Sequence, residues 1–156
     1  MKKATFEHSI DVLVKAYLND TLEHGSCRAC AVGNLVADAQ GIKLFYNEGE
    51  HLITNIGVTP NKDGKTIFNW NKLVDRINGY GDEQEALKEI ESTGYSLSDI
   101  IKIEKAFEGA NYGEGNDEWM LNGLFAVVDV LAEIHGIDLT IREETKKLFN
   151  KELQLN

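Results

Sequence analysis

The stretch NDEWMLNGLFAVVDVLAEIH, Asn116 to His135, decides the fold. Its polar residues Asn122, Asp129 and Glu133 stand at i, i+7 and i+11, so at about 100° per residue they share one narrow stripe. The rest of its middle is apolar: Leu121, Leu124, Phe125, Val127, Val128, Val130 and Leu131. A helix that is apolar almost all round must be surrounded by other elements. The helix 117–135 is therefore expected to be the buried centre of the fold. Asn116 is its natural N-cap, Asp117 and Glu118 carry the charge that the macrodipole favours in a first turn, and Gly136 ends it.

Working outward, helical spacing recurs on both sides. Phe6, Ile10, Leu13, Val14 and Tyr17 share a face of a helix predicted over 6–22. Ser26 reads as the N-cap of a second helix, Cys27 to Ala39, closed by Gly41. Ser96 and Asp99 open a helix ending at Glu108, with Leu97, Ile100, Ile103 and Phe107 inward. Asn69 and Asp82 cap two shorter helices, 70–78 and 82–93, and Thr140 with Glu143 forms a capping box for a last helix carrying Leu148 and Phe149. Residues 42–68 differ. Their segments 43–46 and 51–58 read as extended, joined at Asn47–Gly49 into a short β-hairpin, with a loop at Pro60–Gly64.

Shifted by 90 residues, segment 10–38 aligns with 100–128 without a gap. Ile10/Ile100, Lys15/Lys105, Ala16/Ala106, Gly25/Gly115 and Gly33/Gly123 are identical. Both copies read as helix, glycine-containing loop, polar cap, helix, with Ser26 and Asn116 at matching caps. An internal duplication predicts two helix-loop-helix hairpins packed about a pseudo-twofold axis, with Gly33 and Gly123 at a close helix crossing; two unrelated hairpins also align this well by accident. The expected fold is thus a mostly α, compact helical domain of two such hairpins around the central helix, with the β-hairpin as its only sheet.

Composition bounds the function. The chain has 156 residues, 42% of them apolar and 27% charged, as in an ordinary globular protein, and one domain spanning 1–156 is expected. Its 26 acids against 16 bases give a net charge of −10 and no basic face for a nucleic-acid backbone. The most apolar stretch, Leu124–Ile134, is about half the length of a bilayer span and contains Asp129 and Glu133. Lys2 and Lys3 are followed by Glu7, His8 and Asp11, which leaves no apolar signal region. Two cysteines are too few for a disulfide framework, so a reduced cytoplasm is the expected compartment. Residues 82–118 hold eleven acids and three bases. They read either as solvated, solubilising faces or as a docking surface for a basic protein partner, with Glu85, Glu89 and Glu114 off the core faces. Self-association is compatible with the same pattern.

The reactive side chains cluster in His24-Gly-Ser-Cys27-Arg-Ala-Cys30. Two cysteines one turn apart at a helix start suit a redox dithiol or half of a metal site, with His24 as a third ligand and zinc as the candidate metal. A second CxxC is absent, and a helix rather than a strand precedes this one, so plain packing of the thiols as small apolar side chains is the leading reading. Asp117 aligns with Cys27 in the repeat, and pseudo-symmetry would bring loop 108–118 beside loop 24–30; Asp117 is thereby a remote fourth candidate ligand. No catalytic triad, P-loop or dinucleotide fingerprint occurs. The expected function is that of a small acidic cytoplasmic binding protein without a complete catalytic set and with no cofactor. The alternative is a metal-binding or thiol-redox protein using His24, Cys27 and Cys30.

Overall fold

The computed structural model describes residues 3–47, 56–66, 68–74 and 83–151. In chain order these form α1 (Phe6–Leu18), α2 (Ala31–Gln40), β1 (Lys43–Tyr46), β2 (Ile56–Thr59), α3 (Asn71–Val74), α4 (Glu83–Ser92), α5 (Leu97–Glu108), α6 (Asn116–His135) and α7 (Leu139–Lys146). The protein is mostly helical, and its β-strands pair antiparallel with Lys43 opposite Thr59 and Tyr46 opposite Ile56. Phe45 lies across Gly57, its ring filling the space a side chain would take there. Positions 48–49 of the expected turn, 51–55 of the expected second strand, the end of the helix expected at 70–78 and the Asp82 cap lie outside the described residues.

The central helix is as its apolar pattern requires. Gly123, Leu124, Val127, Val128, Leu131 and Ala132 are buried, and α6 packs on α1, α5 and α7. Its polar stripe faces outward, where Asp129 pairs with Lys146 at 3.0 Å and Arg142 at 3.8 Å. Around it, α1 packs on α2 and α6, and α5 packs on α6 and α2. Exchanging the hairpin α1–α2 with the hairpin α5–α6 maps this set of contacts onto itself. The glycine crossing expected from the repeat does not occur. A Cβ on Gly33 would lie 2.4 Å from the Cys27 carbonyl oxygen, and one on Gly123 would lie 2.9 Å from that of Phe107. Each glycine admits a neighbouring backbone, and neither faces the other.

Four helix ends differ from the sequence expectation. The first helix stops at Leu18, short of residue 22, because Asp20 turns into the left-handed region at φ 57°. The second begins at Ala31, four residues later than expected, capped by Cys30, whose sulfur accepts from the Gly33 amide at 3.3 Å. Ser26 instead contributes its carbonyl, which accepts from the amides of Ala29 and Cys30. Asn116 is the first helical residue of α6; Gly115 holds the cap position and has no side chain to bond. Asp138, not Thr140, caps α7 by accepting from the Ile141 amide. Leu148 and Phe149, expected on that last helix, lie beyond its end at Lys146; Phe149 is buried and Leu148 is exposed.

Glu89 overturns one surface assignment. It is 0% exposed. Its Oε1 accepts from the amides of Asn69 at 2.6 Å and Trp70 at 2.8 Å, so a carboxylate on α4 caps the start of α3. Its Oε2 faces the Lys65 ammonium at 2.6 Å, and Lys65 also pairs with Glu85. Burial works against the Lys65 charge, but the two carboxylates outweigh it and hold its pKa above the ordinary lysine value. The anchored Trp70 then donates from its indole Nε1 to the Cys27 carbonyl at 3.1 Å.

Candidate functional site

Loop 19–30 is built from inside. Asn34, buried on α2, donates from Nδ2 to the carbonyls of Thr21 (2.8 Å), Ala29 (3.2 Å) and Cys30 (3.1 Å). The Glu23 amide closes on the Ala29 carbonyl at 2.7 Å. A loop whose ends are drawn together on its own polar groups holds its tip rigid and exposes it. The tip carries His24, Ser26, Cys27 and Arg28.

His24 reaches across to the second hairpin. Its ring stacks on Phe107 at 4.2 Å with 7° between planes, and on Trp119 at 3.8 Å with 1°. Its Nε2 donates to the Phe107 carbonyl at 3.0 Å. Burial lowers its pKa below the ordinary histidine value, against the opposing pull of that carbonyl. Beside it the Gly25 amide donates to the Glu108 carboxylate at 2.9 Å. Gly123 is small because the His24 and Phe107 rings occupy its side-chain space. The two loops therefore meet at one end of the molecule.

Between them lies a cleft of about 680 Å³, lined by Leu22, Glu23, His24, Gly25, Ser26, Arg28, Asn116, Trp119 and Met120. A hollow of about 270 Å³ shares Leu22, Asn116 and Met120 and adds Tyr17, Asp20, Asp117 and Lys151. Asp117 accepts from the Tyr17 hydroxyl at 3.0 Å, and Lys151 pairs with Asp20 at 2.7 Å while lying over the Tyr17 ring. Trp119 gives one face to His24 and meets Tyr112, which is 54% exposed, at 5.2 Å. The Tyr112 hydroxyl donates to Asn116 Oδ1 at 3.1 Å, and the Glu118 carboxylate accepts from the Glu114 amide at 2.9 Å.

The expected metal set is not assembled. His24 uses its Nε2 on Phe107 and both ring faces on aromatics, Cys30 is buried under the first turn of α2, Cys27 is exposed, and Asp117 is held by Tyr17. Among the described residues no three His, Cys, Asp or Glu side chains gather to hold a metal ion. No described helix is long and apolar enough to cross a membrane.

A second polar constellation has no signature in the sequence. The Tyr95 hydroxyl stands 2.6 Å from the Ser9 hydroxyl and 2.8 Å from His135 Nε2. Burial lowers the pKa of His135 despite Glu7 and Asp99 nearby. These bonds satisfy two buried hydroxyls and tie α1 to the start of α5 and the end of α6. They border a pocket of about 470 Å³ that also holds the His8–Asp38 pair at 2.7 Å. Comparison with protein-family models, curated proteins and solved structures finds no match for this chain.

Proposed function

We propose that this protein acts by binding, and that its ligand is a basic protein segment seated at the cleft between loop 22–28 and the first turns of α6. The observation that carries the reading is the parallel clamp of His24 between Phe107 and Trp119. It fixes Trp119 at the edge of a cleft that Glu23 and Arg28 also line, and Tyr112 meets Trp119 at 5.2 Å. Aromatic faces ringed by carboxylates attract lysine and arginine side chains by cation–π and Coulomb terms. A rigid floor lowers the ordering cost that binding must overcome. The net charge of −10 adds long-range attraction for such a partner.

The test is calorimetric titration with lysine- and arginine-rich peptides at low and high salt. Binding should weaken steeply with salt, because exposed charges are screened beyond about 8–10 Å at physiological ionic strength. Trp119→Ala should weaken it about three- to tenfold. Equal affinity for an acidic control peptide, or indifference to Trp119→Ala, would contradict the reading.

A further inference from the structure

Cys27 and Cys30 differ in a way their spacing alone does not reveal. Cys27 is exposed, and Cys30 is 2% exposed. The amides of Ala29 and Cys30 both return to the Ser26 carbonyl, so residues 27–29 make a single helical turn. Cα atoms three apart on such a turn are about 5 Å apart, inside the range of roughly 4.4–6.8 Å that a disulfide spans.

The turn is also held from outside. Trp70 donates to the Cys27 carbonyl, Asn34 donates to those of Ala29 and Cys30, and Gly33 has no side chain to push the Cys27–Arg28 peptide away. Burial pushes the Cys30 thiol far above its ordinary pKa, so it stays protonated at neutral pH. One sulfur is within reach of solvent-borne reagents. The other waits one turn away, where it accepts from the Gly33 amide and lies 3.9 Å from the Cys27 carbonyl.

We propose that Cys27 and Cys30 are a thiol–disulfide exchange pair that reacts with small-molecule disulfides, Cys27 attacking and Cys30 resolving. The Cys27 thiolate attacks one sulfur of the reagent; a new S–S bond forms, the reagent's own S–S bond breaks, and one thiol leaves after taking up a proton. The Cys30 sulfur then attacks the Cys27 sulfur, gives its proton to solvent and expels the second reagent thiol. Two electrons pass from the protein to the reagent, which leaves as two thiols, and the protein keeps a Cys27–Cys30 disulfide. Closing the disulfide removes the thiol acceptor of the Gly33 amide. None of this depends on what the neighbouring cleft binds.

The experiment treats the reduced, full-length protein with oxidised glutathione and follows intact mass and alkylation over time. The expected product is about 2 Da lighter than the reduced chain, with both cysteines protected together, after a transient glutathione adduct on Cys27. Cys30→Ser should stop at a stable adduct on Cys27, and Cys27→Ser should leave Cys30 unmodified while folded. A wild-type protein that stops at the stable adduct, joins two chains through Cys27 or does not react overturns the proposal. The wild-type masses decide this even if a variant fails to fold.

Discussion

Burial away from water disfavours the charged form of an imidazole. His24 is part-buried between Phe107 and Trp119, and His135 is part-buried against Tyr95 and Phe6. Both have folded-state pKa values below the ordinary 6.5. As pH falls through that value, the unfolded chain binds protons that the folded chain resists, so stability drops with falling pH and levels off below the folded-state values. The melting temperature should fall between neutral pH and about pH 5, and less so in His24→Phe. That variant keeps the stack but leaves the Phe107 carbonyl unpaired, whereas His24→Ala should cost about 2–3 kcal/mol in urea denaturation. At Glu89 the expected effect is larger: Glu89→Lys buries a cation beside Lys65 and strips the amides of Asn69 and Trp70, a loss of about 3–5 kcal/mol. Glu114→Lys, at an exposed site, should change stability by less than about 0.5 kcal/mol. The sequence does not separate these two glutamates. Both look like charges on acidic surface, and only the fold brings Lys65 and the start of α3 onto one of them. His24 was legible as a candidate but not its role, because Phe107 lies 83 residues along the chain.

The helix ends show which parts of an element its own residues determine. Ser96 caps α5 as its spacing with Asp99 predicts, and Gly41 and Gly136 close α2 and α6 in the left-handed conformation. The start of α2 escaped the same reasoning, because a thiol is not among the preferred N-caps and Ser26 is. What overrides the preference is tertiary: Asn34 and Trp70 hold the turn before α2 in place. Gly33→Ala tests this, since its methyl group would meet backbone that those bonds fix; a loss of about 2 kcal/mol or more is expected. Gly115 gives the opposite case. Its backbone is extended, nothing lies within 4 Å of an added Cβ, and its helix lacks a side-chain cap. Gly115→Ser should therefore stabilise the protein by about 0.5–1 kcal/mol through the new cap and a less free unfolded chain.

Over the whole molecule, α6 is held by α1, α5 and α7, and the cleft lies where its first turns meet the other hairpin's loop. Leu124→Ala or Val128→Ala should cost about 2–4 kcal/mol, since both side chains are fully buried. The periodicity of residues 116–135 made this centre legible, because a buried helix carries its environment in its own pattern. The cleft was not legible, because it is made by two loops far apart in sequence; the repeat alignment placed those loops at one end but could not show their aromatic clamp. The central claim is that this end is the binding face. Its most direct test is a ¹H–¹⁵N NMR titration of the labelled protein with a lysine- and arginine-rich peptide at low salt. Shifts should concentrate on the Trp119 indole N–H and the amides of 22–28 and 112–120, leave the buried Trp70 indole nearly unmoved, and vanish at high salt. Shifts centred elsewhere, for example on α4 or the β-hairpin, or none at all, would contradict the account.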